Sequence, residues 1–211
     1  MRYSKAARKL ALAAFFVFAA TLITLLARQL NLGPARAVPP FRAFGPKTAE
    51  IQISEYTDFA CPACKAAYLQ LETMLKLYDG HIALAFKHYP LVNIHKWSFH
   101  AAAYADCAGE QGKFREYAAL LFENQELWAR AEKKPAAFLD YAEKLKLDPA
   151  AFEACANKSE TIKRVKLEMA EGDLKGVAAT PTFFINGKRS VGAGQLLDAA
   201  KNFDNLIRQK K

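Results

Sequence analysis

Apolar and polar positions first alternate with a period of two from Glu50 to Tyr56 (EIQISEY), which predicts a strand. Pro62 then stands where a helix can open, because the N–H it lacks would have no partner in a first helical turn. Helical spacing runs from Ala63 to Tyr78 through Ala67, Leu71, Met74, Leu75 and Tyr78, and Asp79-Gly80 ends it. Alternation returns from His81 to His88 (HIALAFKH). A strand–helix–strand unit of this kind normally makes parallel neighbours. From Ile94 to Leu174 the pattern is helical, in stretches at Trp97–Cys107, Lys113–Asn124, Pro135–Leu145, Pro149–Ala156 and Glu160–Glu171. Strands come back at Thr182–Ile185 and Lys188–Val191 around Asn186-Gly187, a strong two-residue hairpin signal. A last helix opens at Gly194 or Gln195 and runs to about Gln209. The predicted order is βαβ, a helical insert, then ββα, in the α/β class.

The first 47 residues break this pattern. Residues 1–9 are a short basic end, and residues 10–27 are an uncharged run of Ala, Leu and Phe. A helix over that run just spans a bilayer core, and the basic residues ahead of it hold their end in the cytoplasm. The reading is a transmembrane signal anchor, with a cleaved signal peptide as the alternative because Ala35-Arg36-Ala37 has the small-x-small form of a cleavage site. Both place the remainder of the chain outside the cytoplasm, in the periplasm or on the extracytoplasmic face, anchored by the N-terminal helix or secreted if cleaved. Residues 28–47 are rich in Gly and Pro and read as a linker, so the folded domain is expected near Thr48.

Composition changes the picture little. Hydrophobic residues make up 52% of the 211, enough for a sizeable core. The net charge of +9 invites a nucleic-acid reading, but Arg2, Lys5, Arg8, Lys9, Arg28 and Arg36 fall in the first 37 residues with no acidic residue among them. The excess therefore sits at the N-terminus rather than on a binding face, and no nucleic-acid partner is expected.

The chemistry lies in Cys61-Pro62-Ala63-Cys64, between a strand and a helix. A sulfur at a helix N-terminus meets unpaired N–H groups and the positive end of the dipole, which favour a thiolate on Cys61. Cys64, one turn further in, can reach back and close a small ring. A zinc site needs four ligands, and Cys107 and Cys155 stand alone. Haem attachment needs His after the second cysteine, and Lys65 stands there. A purely structural staple would gain little from closing so short a loop. Redox exchange remains, with the Cys61–Cys64 disulfide itself as the working group; no metal or other cofactor is expected.

With these residues in view, the chain resembles the DsbA-like thiol–disulfide oxidoreductases. EYTDFACPACK, HAAAYADCAGEQGKFREYAALLFENQ and GVAATPTFFING carry the likeness, over about residues 43–209. The resemblance implies a thioredoxin fold with an all-helical domain inserted after the first βαβ unit: residues 48–93 and 174–211 as the thioredoxin-like part and 94–173 as the insert. It implies a cis bond at Thr180-Pro181 beside Cys61, where the residues alone would equally fit a trans turn proline. It matches Glu55 to a buried carboxylate beneath the cysteines and Lys87 to a lysine that balances it; on pattern alone either could face solvent. It departs at Ala63, where the strongly oxidising relatives have a histidine, so a less oxidising couple is expected.

In an exported domain the leftover Cys107 and Cys155 are expected to pair, the alternative being two buried thiols. The expected activity is disulfide exchange with exported proteins that carry cysteine thiols. The resemblance implies reoxidation by a quinone-linked membrane partner of the DsbB or VKOR type. The alternatives are an isomerase or reductase, for example of apocytochrome thiols, or a redox-inert binding factor on the same fold.

Overall fold

The computed structural model describes residues 9, 12–22 and 37–209. Residues 1–37 and 38–211 form two units. In the first, residues 12–22 form a helix (α1) whose Phe15, Phe16 and Phe18 are exposed. Residues 1–8 of the basic end, 10, 11 and 23–27 of the anchor, and 28–36 of the linker lie outside the described residues. Among the described residues no helix is long and apolar enough to cross a membrane.

The second unit is built on a five-stranded sheet in the order β1-β3-β2-β4-β5: β1 is Ala43–Phe44, β2 Ile51–Thr57, β3 Ile82–His88, β4 Thr182–Ile185 and β5 Lys188–Val191. β2 and β3 are parallel, as the strand–helix–strand pattern predicts, and the other pairs are antiparallel. The helices are α2 (Pro62–Leu77), α3 (Ser98–Glu110), α4 (Phe114–Glu123), α5 (Gln125–Trp128), α6 (Ala137–Lys144), α7 (Pro149–Ala156), α8 (Ser159–Leu174), α9 (Gly192–Ala200) and α10 (Phe203–Gln209). This is the expected thioredoxin topology with a helical insert. The single C-terminal helix that the pattern predicts is two, interrupted at Lys201 and Asn202.

Period two in β2 sorts its side chains between the faces of the sheet. Ile51 and Ile53 join Ile82, Leu84, Phe183 and Ile185 in a core closed by Ala67, Leu71 and Met74 of α2, Leu196 of α9 and Phe203 of α10. A second core links the active end of the sheet to the insert: Phe59, Cys61, Cys64 and Phe86 pack with Tyr104, Tyr117, Phe122, Trp128, Phe138 and Phe152. Insert and sheet therefore share packing at the cysteines. At the β4–β5 turn, Asn186 and Gly187 take φ of 46° and 82°, the positive values that a hairpin of this length demands.

The fold begins earlier than Thr48. Pro40–Arg42 form a 3₁₀ turn and β1 follows as an edge strand on β3, so residues 38–47 are packed structure rather than linker. Phe41 lies against Gly109 of α3, where a Cβ would collide with its ring. Arg42 is fully buried and pairs with Asp106 at 2.8 Å and with Glu168 at 2.8 Å, and donates to the Phe86 carbonyl at 2.7 Å. His88 completes the group, its Nε2 2.9 Å from Asp106 and its N–H 2.7 Å from Glu168. Beside it Cys107 of α3 and Cys155 of α7 form a disulfide with Cα atoms 5.7 Å apart.

Candidate active site

β2 ends at Thr57, and a short corner, Asp58 to Ala60, delivers Cys61 to the N-terminus of α2. Cys61 is the N-cap, with extended backbone (φ −84°, ψ 121°), and Pro62 fills the first helical position. The Cys64 N–H donates to the Cys61 carbonyl at 3.0 Å and the Cys61 side chain makes no capping bond, while the Ala63 and Cys64 N–H groups of the first turn favour a thiolate on Cys61. Both cysteines are free thiols here, Cys61 8% exposed and Cys64 fully buried.

The two sulfurs differ sharply. The Cys61 thiol is lowered to about 5, first by the hydrogen bond from Cys64, then by Thr180 and the helix N–H groups, against the opposing effect of burial. Cys64 is pushed well above its ordinary value by burial and by the negative charge on Cys61. The Asp58 N–H lies 3.4 Å from the Cys64 sulfur. A more accessible, acidic thiol in front of a buried, reluctant one makes one nucleophile and one resolving group.

Thr180-Pro181 is cis. Cys61 Sγ lies 3.4 Å from the Thr180 carbonyl oxygen, so this segment does stand beside the reactive sulfur. On the opposite side, Gln125 of α5 donates to the carbonyls of Phe59 and Cys61 at 2.7 and 3.0 Å. It holds the corner in place. Gln125 closes the LFENQ stretch, but helical spacing alone gave it no role.

Glu55 is buried, on the α2 face of the sheet, and burial raises its carboxyl to about 8. Thr57, two positions on along the same face, favours the charged form of both Glu55 and Cys64. Its Oγ1 is buried with no hydrogen-bond partner of ordinary geometry among the described residues, so the hydroxyl can turn to either. Lys87 lies elsewhere. In the β2–β3 register it is partnered by Tyr56 and not by Glu55, whose partner is Phe86. One step along a strand reverses the face. The Lys87 ammonium is met by the Glu171 carboxylate of α8 at 2.8 and 3.0 Å.

The family model described as thioredoxin matches residues 38–206. Among solved structures the chain is similar to the alpha-DsbA1 protein of Wolbachia pipientis, with a TM-score of 0.71 and 21% identity over 82% of this chain and 93% of that one. It is similar also to DsbA2 of Pseudomonas aeruginosa, with a TM-score of 0.65 and 26% identity over 78% of this chain and 95% of that one. A curated relative, the Na(+)/H(+) antiporter NhaA 3 of Salinispora tropica, is 36% identical over 148 residues, which are 70% of this chain and 22% of that protein. The chain spans less than a quarter of the length of such relatives.

Proposed function

The chain belongs to the DsbA-like thioredoxin family, and from that premise we propose that it is a thiol–disulfide oxidoreductase exchanging disulfides with exported proteins through Cys61 and Cys64. The observation that carries this reading is the asymmetry of the pair: an acidic sulfur at an open helix N-terminus, backed by a buried one with a raised pKa.

In the oxidising direction a client thiolate attacks Cys61 Sγ of the Cys61–Cys64 bond. That bond breaks, its electron pair goes to Cys64 Sγ, and a mixed disulfide forms between client and Cys61. A second client thiolate then attacks the client sulfur, and Cys61 departs as a thiolate. The client gains a disulfide and the enzyme two electrons. Departure of Cys61 is eased by its low pKa. Cys64, whose thiolate is disfavoured, takes a proton through Thr57 from Glu55, which is still protonated near neutral pH. The Thr180 main chain offers an extended client segment a strand to pair with.

The N-terminal pattern supports an extracytoplasmic site of action, with residues 10–27 as anchor or export signal, and the resemblance supports a quinone-linked membrane partner of the DsbB or VKOR type as oxidant. Ion transport forms no part of this proposal, because the region shared with the antiporter relative is 22% of its length.

Equilibration of residues 38–211 with glutathione buffers is the test. A dithiol couple that titrates, and that disappears in Cys61→Ser, supports the reading; sulfurs that never cycle defeat it. The potential assigns direction. Ala63 in place of a charged residue favours a reductase or isomerase as the second reading, and a value near about −270 mV, typical of thioredoxin, selects it over an oxidase.

A further inference from the structure

Ala63 leaves the Cys61–Cys64 segment without a charged side chain. A charge reaches the same corner from the loop after β3. There the Leu91 N–H donates to Asp58 Oδ2 at 2.8 Å, and His95 Nδ1 lies 2.7 Å from that same oxygen. The other oxygen, Oδ1, accepts the Ala60 N–H at 2.8 Å, and the Asp58 carbonyl accepts the Cys61 N–H at 3.1 Å. Asp58 is buried, 1% exposed, and every donor on its carboxylate belongs to the cysteine corner or to the loop that closes over it. The imidazole is thus fixed by its Nδ1–H, and it lines a groove with Ala60 and Pro62, the residues on either side of Cys61, and with Gln125 and Ala129.

The electrostatics come from placement. A buried carboxylate three positions before Cys61, taken alone, disfavours a second negative charge on that sulfur. An imidazolium seated on it cancels the carboxylate and presents a positive ring to the groove. The Asp58 contact raises the His95 pKa against the opposing effect of burial, and a thiolate on Cys61 raises it further. The remaining charged groups around the ring are Glu126 and Arg130, exposed, opposite in sign and both bordering the groove, and Lys96, next along the loop. Solvent screens the exposed ones.

We propose that His95, held by Asp58, is the charge partner of the Cys61 sulfur: a positioning residue that favours Cys61 as thiolate and leaving group, in place of a charge inside the Cys-x-x-Cys segment. This rests on the exchange reading above. It adds His95 to the effects of Cys64, Thr180 and the helix N-terminus on that sulfur. It also makes exchange depend on a second titration, because neutral His95 leaves the Asp58 carboxylate uncancelled.

The test compares His95→Gln, which keeps a hydrogen-bond donor for Asp58 but no charge, with His95→Arg, which keeps the charge. Thiolate absorbance against pH gives the Cys61 titration, glutathione equilibration gives the couple, and thermal melting reports the fold. In His95→Gln the Cys61 titration moves up and the equilibrium shifts roughly three- to tenfold toward the oxidised enzyme. His95→Arg stays with the unsubstituted protein. An unchanged titration and equilibrium in a His95→Gln protein that melts and cycles normally overturns the proposal, as does a His95→Arg protein that behaves like His95→Gln. Should His95→Gln fail to fold, the imidazole titration by NMR in the unsubstituted protein decides. Linkage requires a higher His95 pKa in the reduced than in the oxidised form, and equal values overturn the proposal. A protein that never cycles in glutathione defeats the exchange reading itself, a result distinct from all of these.

Discussion

At the residue scale the site is a set of unequal partners made by burial. Cys61 and Cys64 are three positions apart, yet the hydrogen bond from Cys64, with Thr180 and the helix N-terminus, stabilises charge on the first and the core opposes it on the second. Glu55 carries the same physics. Its carboxyl is raised to about 8 in the fold, against an ordinary 4.5. Between those values the folded protein holds a proton that the unfolded chain has lost, so Glu55's contribution to stability is full below about pH 4.5 and declines as pH rises through 8. Glu55→Gln removes that decline. The variant is expected to be more stable than the parent by about 3–5 kcal/mol at pH 9, with little difference at pH 4. If Glu55 also moves the Cys64 proton, the same variant exchanges about tenfold more slowly or worse. Urea unfolding at several pH values and stopped-flow thiol exchange measure the two effects. A stabilised variant with undiminished exchange removes Glu55 from the proton path. Much of this is legible in the chain: Cys61, Cys64, Glu55, Thr180 and Pro181 stand out by motif and likeness; Cys61, Cys64 and Thr180 lie together, and Glu55 is buried with Thr57 between it and Cys64. Lys87 is not placed by its likeness to a known lysine, because its partner depends on strand register, and Glu171, 84 positions away, meets it on the other face of the sheet.

At the scale of elements, hydrophobic periodicity locates β2, α2, β3 and the hairpin, where local pattern and tertiary burial agree. It fails at residues 38–47. The Pro and Gly that read as linker belong to a 3₁₀ turn and an edge strand, and what fixes them is a long-range polar cluster. Arg42 meets partners 44 to 126 positions away, beyond what a local pattern can show. This cluster joins the first strand to β3, α3 and α8, and Phe59 lies over it, 5.8 Å from the His88 ring. Arg42→Ala takes the guanidinium from two buried carboxylates, leaving Glu168 to the His88 N–H and Asp106 to His88 and Arg164. The expected cost is about 3–5 kcal/mol, read from urea unfolding of residues 38–211. A loss under about 1 kcal/mol in that experiment, the range of an exposed ion pair, means that the cluster is solvated in solution and does not lock the early strand.

For the whole molecule, redox state and stability are one linked system, because the sulfur that reacts is also a charge the fold favours. Cys61 titrates near 5 in the folded, reduced protein against an ordinary 9. Its folded pKa is depressed, so the stability it contributes is present in full above about pH 9 and is lost as pH falls through 5. The oxidised protein has no Cys61 thiol and lacks that dependence, while Glu55 titrates in both forms and drops out of their difference to first order. The difference in unfolding free energy, reduced minus oxidised, is therefore expected to fall steadily from pH 9 to pH 5. Because oxidation and unfolding share a thermodynamic cycle, the couple becomes less oxidising relative to an unstructured dithiol over the same range. Paired urea titrations of the two forms at pH 5, 7 and 9 measure this. A difference that is flat with pH means that the fold does not hold Cys61 as a thiolate, and the leaving-group advantage assigned to Cys61 goes with it.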